Sequence, residues 1–482
     1  MKMADLHEDG RLYRIEKDVI GEGRVPKEAY YGLQTLRAVE NFDITGQKPH
    51  PDMIRSLVRI KKAAAIANQR AGTVPPVVAR AIVQACEEIL DGALLDQFIV
   101  DSIQGGAGTS LNMNANEVIA NRALELLGHA KGDYARVNPN DHVNCGQSTN
   151  DVIPTAGRMT CQVLLGRLAD SLVLLEGALH DKAVAFDDIV KMGRTQLQDA
   201  VPIRLGQSFA AYAHAVARSG DRMRAAIRET REVNLGGTAI GTGVNADAQY
   251  IDTVSNLTPM TVDLGTVVDT LRAVSGLDLV PADDRIDATQ NLDAFVSISG
   301  TVKACAVSLS KMASDLRLLA SGPRTGFGEI NLPPRQNGSS IMPGKVNPVM
   351  PEVLNQVAFL VIGNDQTITL AAEAGQLELN AFEPVLFHCL FQSIDALTRA
   401  IRTFVEHCVV GITANADRCR RLVDDSVGVV TALCPAIGYG KATDIAKEAI
   451  RSGRSVRDLV MESGLLAGED VARMLDPMRM CG

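Results

Sequence analysis

A chain of 482 residues exceeds what one compact core holds, so two or three domains are expected. Hydrophobic residues at 46% and charged residues at 22% are ordinary for a soluble globular protein, while 4% aromatics and no Trp leave a core of Leu, Val, Ile, Ala and Met that suits long packed helices. A net charge of −9 with no basic cluster argues against a nucleic-acid surface, and no apolar run reaches the roughly 18 residues that span a bilayer.

Met1 to Gly10 is polar and acidic and lacks the apolar stretch of a secretion signal, so a cytoplasmic location is expected. Residues to about 50 read as irregular, with short strand or turn elements around Tyr13 to Ile15 and Tyr30 to Gly32. Helical periodicity follows from Met53 to Ala71 and from Pro76 to Asp91. A glycine-rich loop, Gln104 to Ser110, leads into a helix from Asn114 to Leu127, with Gly128 as its cap. A second loop runs from Asn138 to Asp151 and ends in hydroxyl and amide residues that favour a helix start.

Val152 to about Ala185 predicts a very long helix, striped by Val163, Leu164, Leu168, Leu172, Leu175 and Leu179, with Pro154 in its first turn. Met192 to Pro202 reads as a third loop. Further long helices are predicted over about 205–233, 288–321, 349–372 and 384–410. Residues 245–287 are mixed, with Pro259 and Pro281 as breakers. From about Ile412 the helical segments shorten.

The expected fold is therefore mainly all-α, with a central bundle of five long helices. The expected domains are a mostly helical segment 1–147, the bundle 148–411 and a small helical segment 412–482. The apolar faces are wider than one bundle buries, so packing against other subunits is expected. The nine cysteines are scattered and form no CxxC pair, which predicts buried thiols in a reducing compartment and no Cys/His metal site.

The fourth loop, Asn337 to Pro348, holds two hydroxyls, an ammonium and an amide between Gly338, Gly344, Pro343 and Pro348. With Thr109, Ser148, Thr149, Asn150 and Thr195 in the other three loops, the chain offers a set of donors suited to an anionic substrate. Each residue alone is accounted for by helix capping, and spacing leaves their convergence open. No Walker loop, no dinucleotide-binding GxGxxG and no Ser-His-Asp order is present.

Gly338-Ser339-Ser340-Ile341-Met342-Pro343-Gly344-Lys345-Val346-Asn347 resembles the signature loop of the aspartase/fumarase superfamily, and the other three loops match in order along nearly the whole chain. Asn138 to Asn144, Gln147 to Asp151, Met192 to Pro202 and Ala371 to Asn380 resemble the aspartase branch. Fumarases usually carry Ser in place of Thr149 and His in place of Gln196, although some aspartases also carry that His. The resemblance implies a three-domain fold whose bundles form a multi-helix core in a homotetramer, with each active site drawn from three subunits. It implies a small dicarboxylate or amino-acid substrate and reversible loss of ammonia from L-aspartate to give fumarate. It also implies that no organic cofactor is needed, leaving divalent-metal activation open.

By the same match Ser339 is the base. Thr109, Ser148, Thr149 and Ser340 would hold the β-carboxylate, and Lys345 and Asn347 the α-carboxylate. Asn150 and Thr195, with Gln196 nearby, would hold the amino group, and His142 and Arg37 stand as further candidates. Thr149, Gln196 and Gln376 would choose the substrate. The chain departs from the resemblance between Asn245 and Ala288, where Thr253 to Thr266 reads as extra length.

These roles suit the chemistry. The Cβ proton of aspartate is very weakly acidic, so its removal needs fixed donors around the developing aci-carboxylate. A serine acts as base only if its alkoxide is stabilised. An ammonium leaves as neutral ammonia and needs no acid, whereas a hydroxyl must be protonated, and Gln196 has no titrating proton to give. The alternatives are a class II fumarase, a lyase for a substituted aspartate, and a catalytically silent relative of the kind recruited as lens protein.

Overall fold

Helices dominate, as the periodicity predicts. The computed structural model describes residues 12–251 and 266–481. It divides into two compact units, one of Met1–Arg167, Met223–Lys303 and Val361–Asp395, the other of Leu168–Arg222, Ala304–Leu360 and Ala396–Gly482. The extra segment from Thr253 lies outside the described residues up to position 265.

In chain order the elements are β1 (Tyr13–Lys17), β2 (Glu22–Pro26), α1 (Leu33–Asn41), α2 (Pro51–Ala71), α3 (Pro76–Leu90), α4 (Thr109–Leu126), α5 (Thr149–Ala185), β3 (Val190–Thr195), β4 (Gln198–Arg204), α6 (Leu205–Arg228) and β5 (Glu232–Val233). There follow α7 (Ala248–Ile251), α8 (Val267–Ser275), β6 (Val280–Pro281), α9 (Asp287–Gln290), α10 (Asp293–Leu319), β7 (Ile330–Asn331), α11 (Val349–Glu373), α12 (Glu383–His407) and β8 (Thr413–Ala414). Five short helices close the chain: α13 (Ala416–Asp424), α14 (Cys434–Ile437), α15 (Tyr439–Ser452), α16 (Val456–Ser463) and α17 (Gly468–Met474).

In the first unit α2 packs against α3, α4 and α8 through a core that includes Leu57, Ile60, Ala64 and Ile82. Its start is fixed by Pro51 at the first helical position and by His50 Nδ1, which accepts the Asp52 N–H at 3.1 Å. Gly72, at φ 77°, ends it. Thr266, the last residue of the extra segment, caps α8 by a reciprocal exchange with Asp269.

Helix α5 begins three residues before the predicted Val152 because Ser148 and Asp151 cap it reciprocally. Ser148 Oγ accepts the Asn150 N–H at 3.3 Å, and Asp151 Oδ1 accepts the Ser148 N–H at 2.9 Å. Pro154 thus lies past the first turn and withholds the N–H that the Asn150 carbonyl would accept. Asn234 Nδ2 donates to that carbonyl instead, at 3.0 Å. Further along α5, Gly157 admits Phe387 of α12: a Cβ on Gly157 would lie 2.1 Å from Phe387 Cζ.

Three expectations are corrected. Met192 to Pro202, expected as a loop, belongs to the antiparallel hairpin β3–β4, with Gln196 and Leu197 at its tip in the left-handed region at φ 54° and 63°. The helix expected to reach Val233 stops at Arg228, because Glu232–Val233 pairs in parallel with Val280–Pro281. The helix expected from 288 starts at Asp293, since Asn291 is extended and separates it from α9. Helices α11 and α12 fall within a few residues of their predicted spans.

In the second unit α13 to α17 enclose a core containing Val423, Leu433, Val460 and Val471, which also takes Met192 from β3. Among the described residues no helix is long and apolar enough to cross a membrane. All nine cysteines are free, and all but Cys145 and Cys434 are buried.

Candidate active site

In the first unit the start of α4 lies against the start of α5. A Cβ on Gly108 would sit 3.0 Å from Ile153, and Asn112 Nδ2 donates to Thr149 Oγ1 at 3.2 Å. Thr109, the first residue of α4, therefore lies near Ser148, Thr149 and Asn150. Its hydroxyl donates to Gly106 O at 2.7 Å. Asn150 Nδ2 donates to Ala239 O at 2.8 Å, which leaves its side-chain oxygen free to accept from an ammonium. Two helix N-termini thus lie side by side with their partial positive charge.

Behind these residues lies a buried polar layer. Lys61 is fully buried and donates to Asn144 Oδ1 at 2.8 Å and Gln147 Oε1 at 2.9 Å. Asn112 and Asn116 also donate to Asn144 Oδ1, each at 3.2 Å. Asp151 is fully buried, and its Oδ2 accepts the N–H groups of Gly236 at 3.0 Å and Thr238 at 3.1 Å. Burial pushes the Lys61 ammonium down to about 7 and the Asp151 carboxyl up to about 6, each opposed by the other's charge.

His142 and Arg37 each already have a partner. His142 Nδ1 accepts the Asn138 N–H at 2.8 Å, inside its own loop, and burial lowers its basicity. Arg37 donates to both oxygens of Asp18, at 2.7 and 3.2 Å.

In the second unit, Asn337 to Pro348 forms an exposed loop clasped at its base. Gly338 N–H donates to Lys345 O at 2.8 Å, and Asn347 Nδ2 donates to Gly338 O at 2.8 Å. A Cβ on Gly338 would lie 2.4 Å from Lys345 O, so only glycine permits the clasp. Ser339 Oγ accepts two backbone N–H groups, from Ile341 at 3.1 Å and Met342 at 2.9 Å. Ser340 and Lys345 are exposed, and the Lys345 ammonium has no hydrogen-bond or ion-pair partner among the described residues.

Thr195 and Gln196 stand exposed at the tip of the β3–β4 hairpin. Its strands are anchored by Glu329, fully buried, which accepts from Arg194 at 2.8 Å and pairs with Lys191 at 3.4 Å. Arg194 also lies over the Phe327 ring, 4.1 Å from its centre. A cavity of about 410 Å³ opens beside Thr195, bordered by Arg194, Tyr212, Lys311 and Phe327. Gln376 makes a backbone bridge with Leu379 just beyond α11.

Lys61, Asn112, Asn144, Asp151 and Glu329 are absent from the sequence-derived set. A hint lay in α4, where Asn112, Asn114, Asn116, Glu117 and Asn121 crowd into one helix and are all buried. Among the described residues no cluster of three or more His, Cys, Asp or Glu is placed to hold a metal ion.

The helical fold, the clasped Gly-Ser-Ser loop and the capped donor loops define a class, and the chain belongs to the lyase family that joins aspartases and fumarases. The model described as Lyase matches residues 21–363, and that of the fumarase C C-terminus matches residues 429–482. The aspartate ammonia-lyase of Bacillus subtilis (strain 168) is 53% identical over 468 residues, covering 97% of this chain and 96% of that protein. That of Pseudomonas aeruginosa is 53% identical over 472 residues, with coverage of 97% and 96%. A Brucella melitensis structure described as fumarate lyase:delta crystallin bound to cobalt superposes with a TM-score of 0.92 at 48% identity, over 98% of this chain and 100% of that one. The class II fumarase of Schistosoma mansoni gives a TM-score of 0.89 at 33% identity, with coverage of 97% and 99%. The mainly α-helical aspartase/fumarase fold expected from the sequence is the fold of this chain.

Proposed function

We propose that this carbon–nitrogen lyase interconverts L-aspartate with fumarate and ammonia. The observation that carries the reading is the Ser339 turn. Two backbone N–H groups already donate to Oγ, so negative charge on that oxygen is stabilised before substrate arrives. The names carried by relatives about half identical over nearly the whole chain support the same substrate.

In this reading Ser339 Oγ removes the Cβ proton. The electrons pass into the β-carboxylate as an aci-carboxylate, held by Thr109, Ser148, Thr149 and Ser340. They then return to form the Cα–Cβ double bond as the Cα–N bond breaks and ammonia leaves. Lys345 and Asn347 hold the α-carboxylate, and Asn150 Oδ1, Thr195 and Gln196 receive the ammonium. The chemistry needs no organic cofactor. The exposed loop 337–348 closes over bound substrate and excludes water.

We place these loops around sites shared among three subunits of a homotetramer in the cytoplasm. The exposed Phe359, Leu360, Ile362 and Leu370 on one helix, α11, support burial by another subunit. The deciding experiment supplies L-aspartate and L-malate separately and follows fumarate absorbance in the ultraviolet. Fumarate from aspartate is expected. Fumarate from malate alone would instead make the chain a class II fumarase, the reading that its likeness to the Schistosoma enzyme favours.

A further inference from the structure

The polar layer behind Thr149 has a direction. An ammonium donates and never accepts. Lys61 Nζ donates to Asn144 Oδ1, while Asn144 Nδ2 donates to Gln147 O at 3.1 Å, so the Asn144 amide has one orientation. Its oxygen then faces Asn112 as an acceptor. Asn112 must present Nδ2, 3.2 Å away, because its own oxygen there would oppose another oxygen. The second hydrogen of the same Nδ2 meets Thr149 Oγ1, also at 3.2 Å. Thr149 Oγ1 is thereby made an acceptor toward the protein, and its hydrogen must point elsewhere. Among the described residues nothing accepts that hydrogen.

A second observation points the same way. Asn112 Oδ1 is buried with no partner, although Asn112 is 1% exposed. An orphaned buried acceptor is destabilising. Reversing the amide would set Asn112 Oδ1 against Asn144 Oδ1, which Lys61 and Asn116 already hold as an acceptor, so the orientation is the one imposed from Lys61 outward even though one oxygen goes unpartnered.

We propose that Asn112, backed by Lys61 and Asn144, is a positioning residue that commits the Thr149 hydroxyl to donate its hydrogen to the substrate carboxylate. The inference rests on the reading of Thr149 as a carboxylate-binding residue. Its consequence is that a hydroxyl, which by itself serves either way, arrives already polarised for an anion. The buried position of Lys61 keeps water from supplying alternative partners, and its lowered basicity reflects that isolation.

The test is a double-mutant cycle on the full-length enzyme, with kcat/KM for L-aspartate as the readout. Asn112→Asp keeps the shape but replaces the donor with an acceptor, which would turn the Thr149 hydrogen inward. Thr149→Val removes the hydroxyl. Each is expected to lower kcat/KM about 10- to 100-fold, the range of a hydrogen bond to a charged group. The double variant should be no worse than Thr149→Val alone, because Asn112 acts only through that hydroxyl.

Losses that multiply in the double variant, or a folded Asn112→Asp enzyme with full activity beside an impaired Thr149→Val, would overturn the role of Asn112 and leave the reading of Thr149 standing. A fully active Thr149→Val enzyme would overturn both. If circular dichroism shows Asn112→Asp unfolded, Asn112→Ala enters the cycle with the same outcomes.

Discussion

In the proposed mechanism Ser339 carries the heaviest chemical demand on the smallest group. A free serine hydroxyl is a poor base, and here two N–H groups at 3.1 and 2.9 Å are the local means of making it a better one. Replacing Ser339 with Ala is expected to lower kcat for fumarate formation about 10²- to 10⁴-fold, the usual contribution of a positioned base. The circular dichroism spectrum should not change, because the loop is exposed and the side chain supports no core. Undiminished turnover would remove Ser339 from the mechanism. The other candidates divide at this scale. Lys345 has no competing partner, whereas Arg37 is already paired with Asp18 and His142 already accepts within its own loop.

At the scale of elements, close approach decides more than propensity does. Gly157 of α5 lies under Phe387, which is itself buried, stacked on Phe391 and edge-on to Phe295. The ring has nowhere to move, so Gly157→Ala is expected to destabilise the protein by about 1–3 kcal/mol despite its better helix propensity. Denaturant unfolding measures this, and Phe387→Leu in the same chain should recover part of the loss. The sequence made the long helices legible because their apolar stripes repeat at helical spacing. It concealed the β3–β4 hairpin, whose tip is Gln196-Leu197 rather than a glycine or asparagine pair and whose second strand contains Pro202. The site loops were legible from hydroxyl and amide residues beside glycine. Lys61 and Asp151 were not, because a lone polar residue signals its burial only through the partners that the fold brings to it.

For the whole molecule, two buried charges set a pH dependence. Lys61 falls from its ordinary 10.5 to about 7 on folding. The folded protein therefore binds fewer protons than the unfolded chain across that interval, and on this account stability rises with pH from about 7 toward 10.5. Asp151 rises from 3.8 to about 6, so its contribution falls as pH increases through that lower interval. The combined burial cost is greatest between about pH 6 and 7, where Asp151 has lost its proton and Lys61 keeps most of its own. Cys86, pushed up to about 12 beside Lys61, stays neutral throughout. The denaturant midpoint of the wild type, measured against Lys61→Met, should climb between pH 7 and 9, and a flat difference would contradict the assignment. Assembly gives the second expectation at this scale. Phe359→Asp places a charge on the exposed apolar side of α11 and should shift sedimentation toward smaller species with loss of activity, if that side is buried between subunits.

The proline near the start of α5 gives the longest helix an index mark. By withholding one N–H, Pro154 opens a single gap in the hydrogen-bond ladder, and the gap falls at the carbonyl of Asn150. Asn234 fits that gap, so the helix has one admissible setting along its axis. A slip of one residue would carry the opening to a different carbonyl and leave the Asn234 amide without its acceptor. The depth to which Ser148, Thr149 and Asn150 project is thus gauged from a residue on a distant stretch of chain, and a substitution at 234 would be felt first at the mouth of the helix.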